Sequence, residues 1–328
     1  MITTLVGNYP KVAEGAYSTK LIGAITKWQR KELSDAQLEG VYQEITKAVI
    51  REQEEAGIDL VSDGQIRWED IVTPVARALD GFEINGLSRW FNNNVYYRRP
   101  ILHKAPVRNG PILVEQYRFA AGCTGKPVKA VLPGPYTFAF VSEDRHYKAL
   151  RPLAMKLAEI LNAEAKALAE AGAAFIQFDE PAIGFGPQSG AGKTDLKLAV
   201  EALNAAVKGV RAKTAVSTYF GSSDIALAVL LRTRVDVVGV DVVSDPKALA
   251  LLARTNIMKE LALGCLDARN TKLESVRELH ALFKKVAKRV PSDRLYINPN
   301  AGLEFLPHPQ ALAKMRRLVQ AARAFQKN

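Results

Sequence analysis

The strongest constraint on the fold is a repeated alternation. Eight short apolar segments, TTLVG, DLVSDG, KAVLPG, AFIQFDEP, TAVSTYFG, VDVVGVDVV, LALGCLD and LYINPNAG, recur along a chain of 328 residues. Helix-period stretches such as LAMKLAEILNAEAKALAEAG and KLESVRELHALFKKVAKRV fill most of the intervals. Near-continuous Val/Ile/Leu runs joined by helices describe parallel strands buried on both faces. Eight in succession predict an α/β fold, a closed (β/α)8 TIM barrel, over residues 1–328 as one domain. One interval departs from the pattern. More than sixty residues separate DLVSDG from KAVLPG, and they include FEINGLSRWFNNNVYYRRPIL. Its aromatic and β-branched residues on either side of Asn92–Asn94 predict a β-hairpin insertion between strands 2 and 3, within an excursion over about residues 75–125.

In such a barrel the C-terminal strand ends and the loops that follow them surround the active site. Here those ends carry Asn8, Asp63, Gln65, Arg67, Tyr136, Thr137, Asp179, Glu180, Ser217, Thr218, Tyr219, Asp241, Asp267, Arg269, Asn270, Asn298 and Asn300. A ring of carboxylates, amides and arginines above an apolar interior suits a small polar substrate with both amine and acid functions. Consecutive strand residues point to opposite sides, so only one of Asp179 and Glu180 faces the axis squarely; the other holds neighbouring backbone or an arginine.

Other classes of function fit less well. The formal charge is +11, from 45 basic and 34 acidic residues, but the basic residues are dispersed among acids, as in RELHALFKKVAKR. That pattern describes solvated helix faces or attraction to a polyanionic small molecule, so nucleic acid is not expected as a partner. No apolar run approaches the ~20 residues of a membrane helix, and no membrane association is expected. The first residues, MITTLVGNYPK, lack the charged leader and long apolar core of a secretion signal, and two cysteines, Cys123 and Cys265, cannot frame a disulfide scaffold. A cytoplasmic setting follows as the expectation. GPQSGAGKT approximates a phosphate loop, but Pro187 stands where the first glycine is needed, and the segment follows two acids.

Five segments, TTLVGNYP, DLVSDGQIRWEDIV, KAVLPGPYTF, FIQFDEPA and YINPNAGL, resemble the cobalamin-independent methionine synthase family, in its order and over most of the chain. RWFNNNVYY and TYFGSSD are closer to the amino-terminal half of the two-barrel enzyme, so the chain is similar to one barrel of it or to the short single-barrel relatives. The resemblance implies methyl transfer from a methylated tetrahydrofolate or tetrahydropterin to a small amino-acid-like acceptor, homocysteine in the family. Family members bind zinc through one histidine, two cysteines and a glutamate, and the metal keeps the thiol as a thiolate. At those positions this chain carries Val216, Thr218, Ala301 and Asp241, so no metal ligand is assigned and zinc is not expected. The histidines, His103, His146, His280 and His308, are scattered without ligand spacing.

The resemblance places Asp179 where the family holds the substrate's amino group, Gln65 where it has a glutamate, and Arg269 where it has a proton-handling histidine. The expected catalytic residues are Asp179, Asp241 and Arg269. Asn8, Gln65, Arg67, Glu180, Thr218, Tyr219, Asn270 and Asn300 are the expected substrate-binding set, with Arg67 or Arg269 holding a carboxylate. Tyr136, Thr137 and Trp90 are the expected donor-binding set, although core packing explains each aromatic ring equally well. Two readings stand: a methyltransferase with an altered acceptor, or a non-catalytic barrel that partners a separate zinc-bearing methionine synthase barrel.

Overall fold

The structure, a computed structural model, describes residues 1–11, 18–89, 96–185, 195–221 and 223–326. Among the described residues ten strands are present: β1 (Ile2–Thr3), β2 (Asp80–Arg89), β3 (Tyr96–Val107), β4 (Lys129–Pro133), β5 (Glu143–Asp144), β6 (Phe175–Asp179), β7 (Lys213–Ser217), β8 (Val237–Asp241), β9 (Glu260–Leu266) and β10 (Leu295–Pro299). Seven form one curled sheet in the order β1-β10-β9-β8-β7-β6-β4, and every pairing in it is parallel. The missing stave is DLVSDG. It contributes only isolated parallel bridges, Thr4 to Leu60 and Val61 to Val128. Backbone hydrogen bonds from Leu60 N to Thr3 O (3.1 Å), Val61 N to Pro127 O (3.0 Å) and Lys129 N to Val61 O (2.9 Å) lace the curled sheet shut.

The residues explain the architecture. Every residue of β4, β6, β8 and β10 is buried, as continuous apolar runs in a two-faced sheet require. Leu60, Phe175, Ala215, Val237 and Tyr296, one from each of five staves, pack as a separate cluster that plugs the barrel floor. Several helices start at side-chain caps. Ser34 and Gln37 form a capping box for the helix Asp35–Ala56, and Ser275 and Glu278 form one for Val276–Ala287. No helix among the described residues is long and apolar enough to cross a membrane.

The long second connection builds a second, small sheet. β2 and β3 pair antiparallel, and β3 runs parallel to β5 through Ile101–Glu143 and Leu102–Asp144. The expected hairpin is therefore present, while its tip, including Trp90 and Asn92–Asn94, lies outside the described residues. Glu164, fully buried on the helix Leu150–Glu170, moors the returning chain by accepting from Ile112 N (3.0 Å), Leu113 N (2.7 Å) and Arg108 Nε (2.8 Å).

Candidate active site

β6 carries the centre of the site. Phe175, Gln177 and Asp179 alternate onto one face, and the upper two replace barrel-filling hydrocarbon with polar groups. Gln177 Nε2 donates to Asp179 Oδ1 (2.7 Å) and to the Val6 carbonyl (2.7 Å), while its Oε1 accepts from Lys129 Nζ (2.7 Å). Lys129 also donates to the Leu5 carbonyl, and Tyr219 donates its hydroxyl to Asp179 Oδ2 (3.1 Å). The result is a buried chain, Lys129–Gln177–Asp179–Tyr219, that ties the end of β1 to β4, β6 and the loop after β7. Burial pulls the Lys129 ammonium below its ordinary range and pushes the Asp179 carboxyl up; each partly offsets the other.

Glu180 turns the opposite way. It sits at the start of the short helix Pro135–Val141, where its Oε1 accepts from Tyr136 N (3.0 Å) and its Oε2 from Thr137 N (2.7 Å). Gly134 makes this approach possible, since a Cβ there would lie 2.0 Å from Glu180 Cδ. Burial raises the Glu180 carboxyl to about 7 against these hydrogen bonds. Thr137 Oγ1 accepts from Ala182 N (3.2 Å), and the Tyr136 hydroxyl accepts from Asp195 N (3.1 Å), so both residues serve the loop geometry as well as the rim.

Asp241, at the end of β8, is similarly occupied. Its Oδ1 accepts from Val243 N and Ser244 N, both at 2.9 Å, and its Oδ2 from Asn300 Nδ2 (3.3 Å). Burial raises its carboxyl. Asn300 completes a bridge across the rim by donating to Ser244 Oγ (3.0 Å) and accepting from Ala268 N (2.8 Å). Thr218 is buried with its hydroxyl towards the Gly239 carbonyl (3.4 Å).

The rim above β1 is built differently. Asn8 Oδ1 and the Gln65 carbonyl accept from Lys11 Nζ at 3.1 and 2.6 Å, and Lys11 is only 7% exposed. Gln65 has a left-handed backbone (φ 48°), and neither Oε1 nor Nε2 of its buried amide has a partner among the described residues. Glu304, in the turn after β10, likewise holds a buried Oε2 without a partner among the described residues. Burial lowers Lys11 and raises Glu304, and the two charges act on each other. Both line a cavity of about 60 Å³ together with Asn8, Tyr219, Phe220 and Phe305.

The structure thus brings together Asn8, Gln65, Thr137, Tyr136, Asp179, Glu180, Thr218, Tyr219, Asp241 and Asn300 at the strand ends. Three expected residues lie outside this cluster, although Arg269 packs on Phe220, a wall of the cavity. Arg67 turns outward, where Glu39 of the helix Asp35–Ala56 takes its Nε (3.1 Å) and Thr46 its Nη1 (3.4 Å), between the rings of Tyr42 and Phe119. Arg269 is exposed, with its guanidinium 5.5 Å from the Phe220 ring centroid, and Asn270 is exposed with its Oδ1 accepting from Lys272 N (2.9 Å). The donor candidate Trp90 and the GPQSGAGKT segment lie outside the described residues. Four residues of the site, Lys11, Lys129, Gln177 and Glu304, were not singled out from sequence. The signal for two of them was a lysine and a glutamine interrupting otherwise apolar strands.

A sequence profile described as "Cobalamin-independent synthase, Catalytic domain" matches residues 1–324. The chain belongs to the cobalamin-independent methionine synthase family. A methionine synthase of Saccharolobus solfataricus is 31% identical over 324 residues, covering 98% of this chain and 93% of that one. A methionine synthase of Sulfolobus acidocaldarius is 28% identical over 328 residues, covering 97% and 90%. The solved B12-independent methionine synthase of Shewanella sp. W3-18-1, in complex with selenomethionine, superposes with a TM-score of 0.84 at 25% identity, over 99% of this chain and 97% of that one. Such relatives identify a TIM-barrel enzyme of the methyltransferase class, in a family that draws its methyl group from a methylated folate and acts on small molecules.

The residues at this family's zinc-ligand positions are now placed. Val216 and Ala301 offer no donor atom, Thr218 faces a carbonyl, and Asp241 is committed to two backbone N–H groups and an amide. Cys265, one strand away, is buried with Sγ 3.7 Å from the Asn298 carbonyl, and burial drives its thiol far above the range in which a thiolate forms. Among the described residues no group of three or more His, Cys, Asp or Glu is arranged to hold a metal.

Proposed function

We propose that this chain transfers a methyl group from a methylated tetrahydrofolate or tetrahydropterin to a small amino-acid-like acceptor, and that it does so without the family's zinc. The observation that carries this reading is the rebuilt rim. The four ligand positions supply one hydroxyl and one carboxylate, both hydrogen-bonded within the protein, and a tetrahedral zinc site needs four nitrogen, sulfur or oxygen donors. The polar chain around Asp179 is meanwhile intact.

The chemistry assigns tasks to these residues. Methyl transfer breaks the bond between the donor nitrogen and the methyl carbon, forms a bond from the acceptor lone pair to that carbon, and leaves the nitrogen in need of a proton. Burial raises the Asp179 and Glu304 carboxyls towards neutrality, which suits groups of this kind to hold and supply a proton. An acceptor that needs no metal must itself be a competent nucleophile, unlike a thiol that is largely protonated at neutral pH. Asp179 orients it through the Tyr219 hydroxyl.

The test is an assay of the purified chain with 5-methyltetrahydrofolate and a panel of thiol, selenol and amine amino acids, with metal content measured beforehand. Turnover that is unchanged by a chelator is the expected result. Stoichiometric zinc, or activity lost with the chelator and restored by zinc, overturns the metal-free reading. Turnover that arises only on adding a separate zinc-bearing methionine synthase barrel would instead make this chain the non-catalytic partner.

A further inference from the structure

Lys129 occupies a position that a barrel interior fills with hydrocarbon. It opens β4, whose residues are all buried, and it stands level with Phe175 of β6 in the parallel register. Gln177 lies two residues, about 6.6 Å, further up β6. The lysine stem climbs that layer, and its Nζ donates to Gln177 Oε1 (2.7 Å) and to the Leu5 carbonyl. Lys129 is only 2% exposed, and among the described residues no carboxylate oxygen stands within ion-pair distance of it. Burying an ammonium away from any carboxylate is costly, whereas an apolar side chain would fill the same layer without that cost.

The charge reaches Asp179 through the Gln177 amide. An ammonium donates hydrogen bonds and accepts none. It therefore holds the carbonyl end of that amide, and the –NH2 end points away. Its two hydrogens go to the Val6 carbonyl and to Asp179 Oδ1, both at 2.7 Å. With the Tyr219 hydroxyl on Oδ2 (3.1 Å), each oxygen of Asp179 accepts one hydrogen bond and can accept another. A flipped amide would instead turn its own oxygen towards Asp179, and the carboxyl would need a proton to meet it. The other surroundings oppose charge on Asp179. Burial disfavours it, and the Glu180 and Glu304 carboxylates repel it. Lys129 supplies the positive charge that works the other way, and on its far side it lines a cavity with Asp63.

We propose that Lys129 is a positioning residue: by fixing the Gln177 amide, it presents Asp179 to the reacting groups as an ionised acceptor. Lys129 lies beneath Gln177 and acts through it. An ionised Asp179 takes up the proton that the acceptor releases on methylation and can then pass it to the donor nitrogen, so that acceptance precedes supply. This deepens the methyltransferase reading above and rests on it for what Asp179 meets, though not for the state of Asp179 itself.

Carboxyl carbon NMR of the full chain, labelled at aspartate and titrated with pH, tests it; the Asp179 signal is the one lost in Asp179→Asn. Lys129→Met should raise the Asp179 midpoint by about one pH unit or more. Gln177→Leu should raise it too, and in that background Lys129→Met should add less than about half of its own effect, because the relay is gone. Thermal unfolding checks that each variant folds. An unmoved midpoint in folded Lys129→Met, or an equal shift with and without Gln177, would overturn the inference. Should Lys129→Met fail to fold, the wild type still decides: the Lys129 Cε and Asp179 carboxyl signals should each report the same pair of midpoints, and independent titration would overturn it. The two proposals fail separately. Methyl transfer whose pH profile is unchanged in Lys129→Met removes this inference alone, whereas the expected midpoint shifts without consumption of methylfolate remove the methyltransferase reading alone.

Discussion

The two sides of the rim use similar residues to opposite effect. On the side of β6 and β8, Glu180 and Asp241 have their carboxylate oxygens filled by backbone N–H groups and an amide. On the side of β1 and β10, the Gln65 amide and Glu304 Oε2 are buried with no partner among the described residues, and Lys11, hydrogen-bonded to two neutral acceptors, lies in the field of Glu304, Asp63, Asp70 and Glu69. Polar burial is tolerated when hydrogen bonds are complete and is expensive when they are not. A saturated carboxylate shapes a loop, and one with an open oxygen can still accept a hydrogen bond. Residue type alone therefore does not identify the working half of a polar ring.

Substitutions on each side should separate these roles. The largest effect is expected at Gly134→Ala, which drives a methyl group into Glu180 inside a closed cradle; a loss of about 3 kcal/mol or more is expected in chemical denaturation. Next is the pH response of Glu180. Its folded value of about 7 lies above the ordinary value of 4.5, so the proton is held more tightly in the folded state. That contribution is fully present below pH 4.5 and is lost as pH rises through about 7. The stability of wild type relative to Glu180→Gln should thus fall over this window, by up to about 3 kcal/mol, when denaturation midpoints are compared across pH.

Asp241→Asn should follow, with a loss of about 1–3 kcal/mol, because an amide nitrogen would face backbone donors. Chemical denaturation checks it, and a stability within about 0.5 kcal/mol of wild type would show that these hydrogen bonds do not hold the loop. The smallest effect is expected at Gln65→Gly. It relieves a left-handed backbone and deletes an unpartnered amide, so a gain of about 1 kcal/mol in stability is expected; a loss would show that Gln65 has a structural partner.

How much of this was legible in the sequence varies with the kind of signal. The staves were clear, since β4, β6, β8 and β10 are buried on both faces and their apolar runs say so directly. The strand-end position of Asp179 followed from the same pattern. DLVSDG was expected as an equal stave but joins only through isolated bridges, because its polar second half turns at once into the Asp63–Gln65 loop. Arg67 was expected on the rim. Its capture by Glu39, 28 residues earlier, depends on how a helix packs outside the barrel, which local pattern does not encode. Lys11 and Glu304 were hidden for a related reason, since their significance arises only when the two ends of the chain meet in one cavity.

The sparse lacing of the second stave has a mechanical consequence. A cylinder yields first along its least-stitched seam, and here that seam runs between β1 and β4 beneath the loop bearing Gln65, whose carbonyl steadies Lys11. Widening on that flank would resize the mouth while the five-pair ladders β6–β7 and β8–β9 stay put. The range of guests admitted would then depend on how far the seam relaxes, and residues that never touch a guest could govern which ones fit.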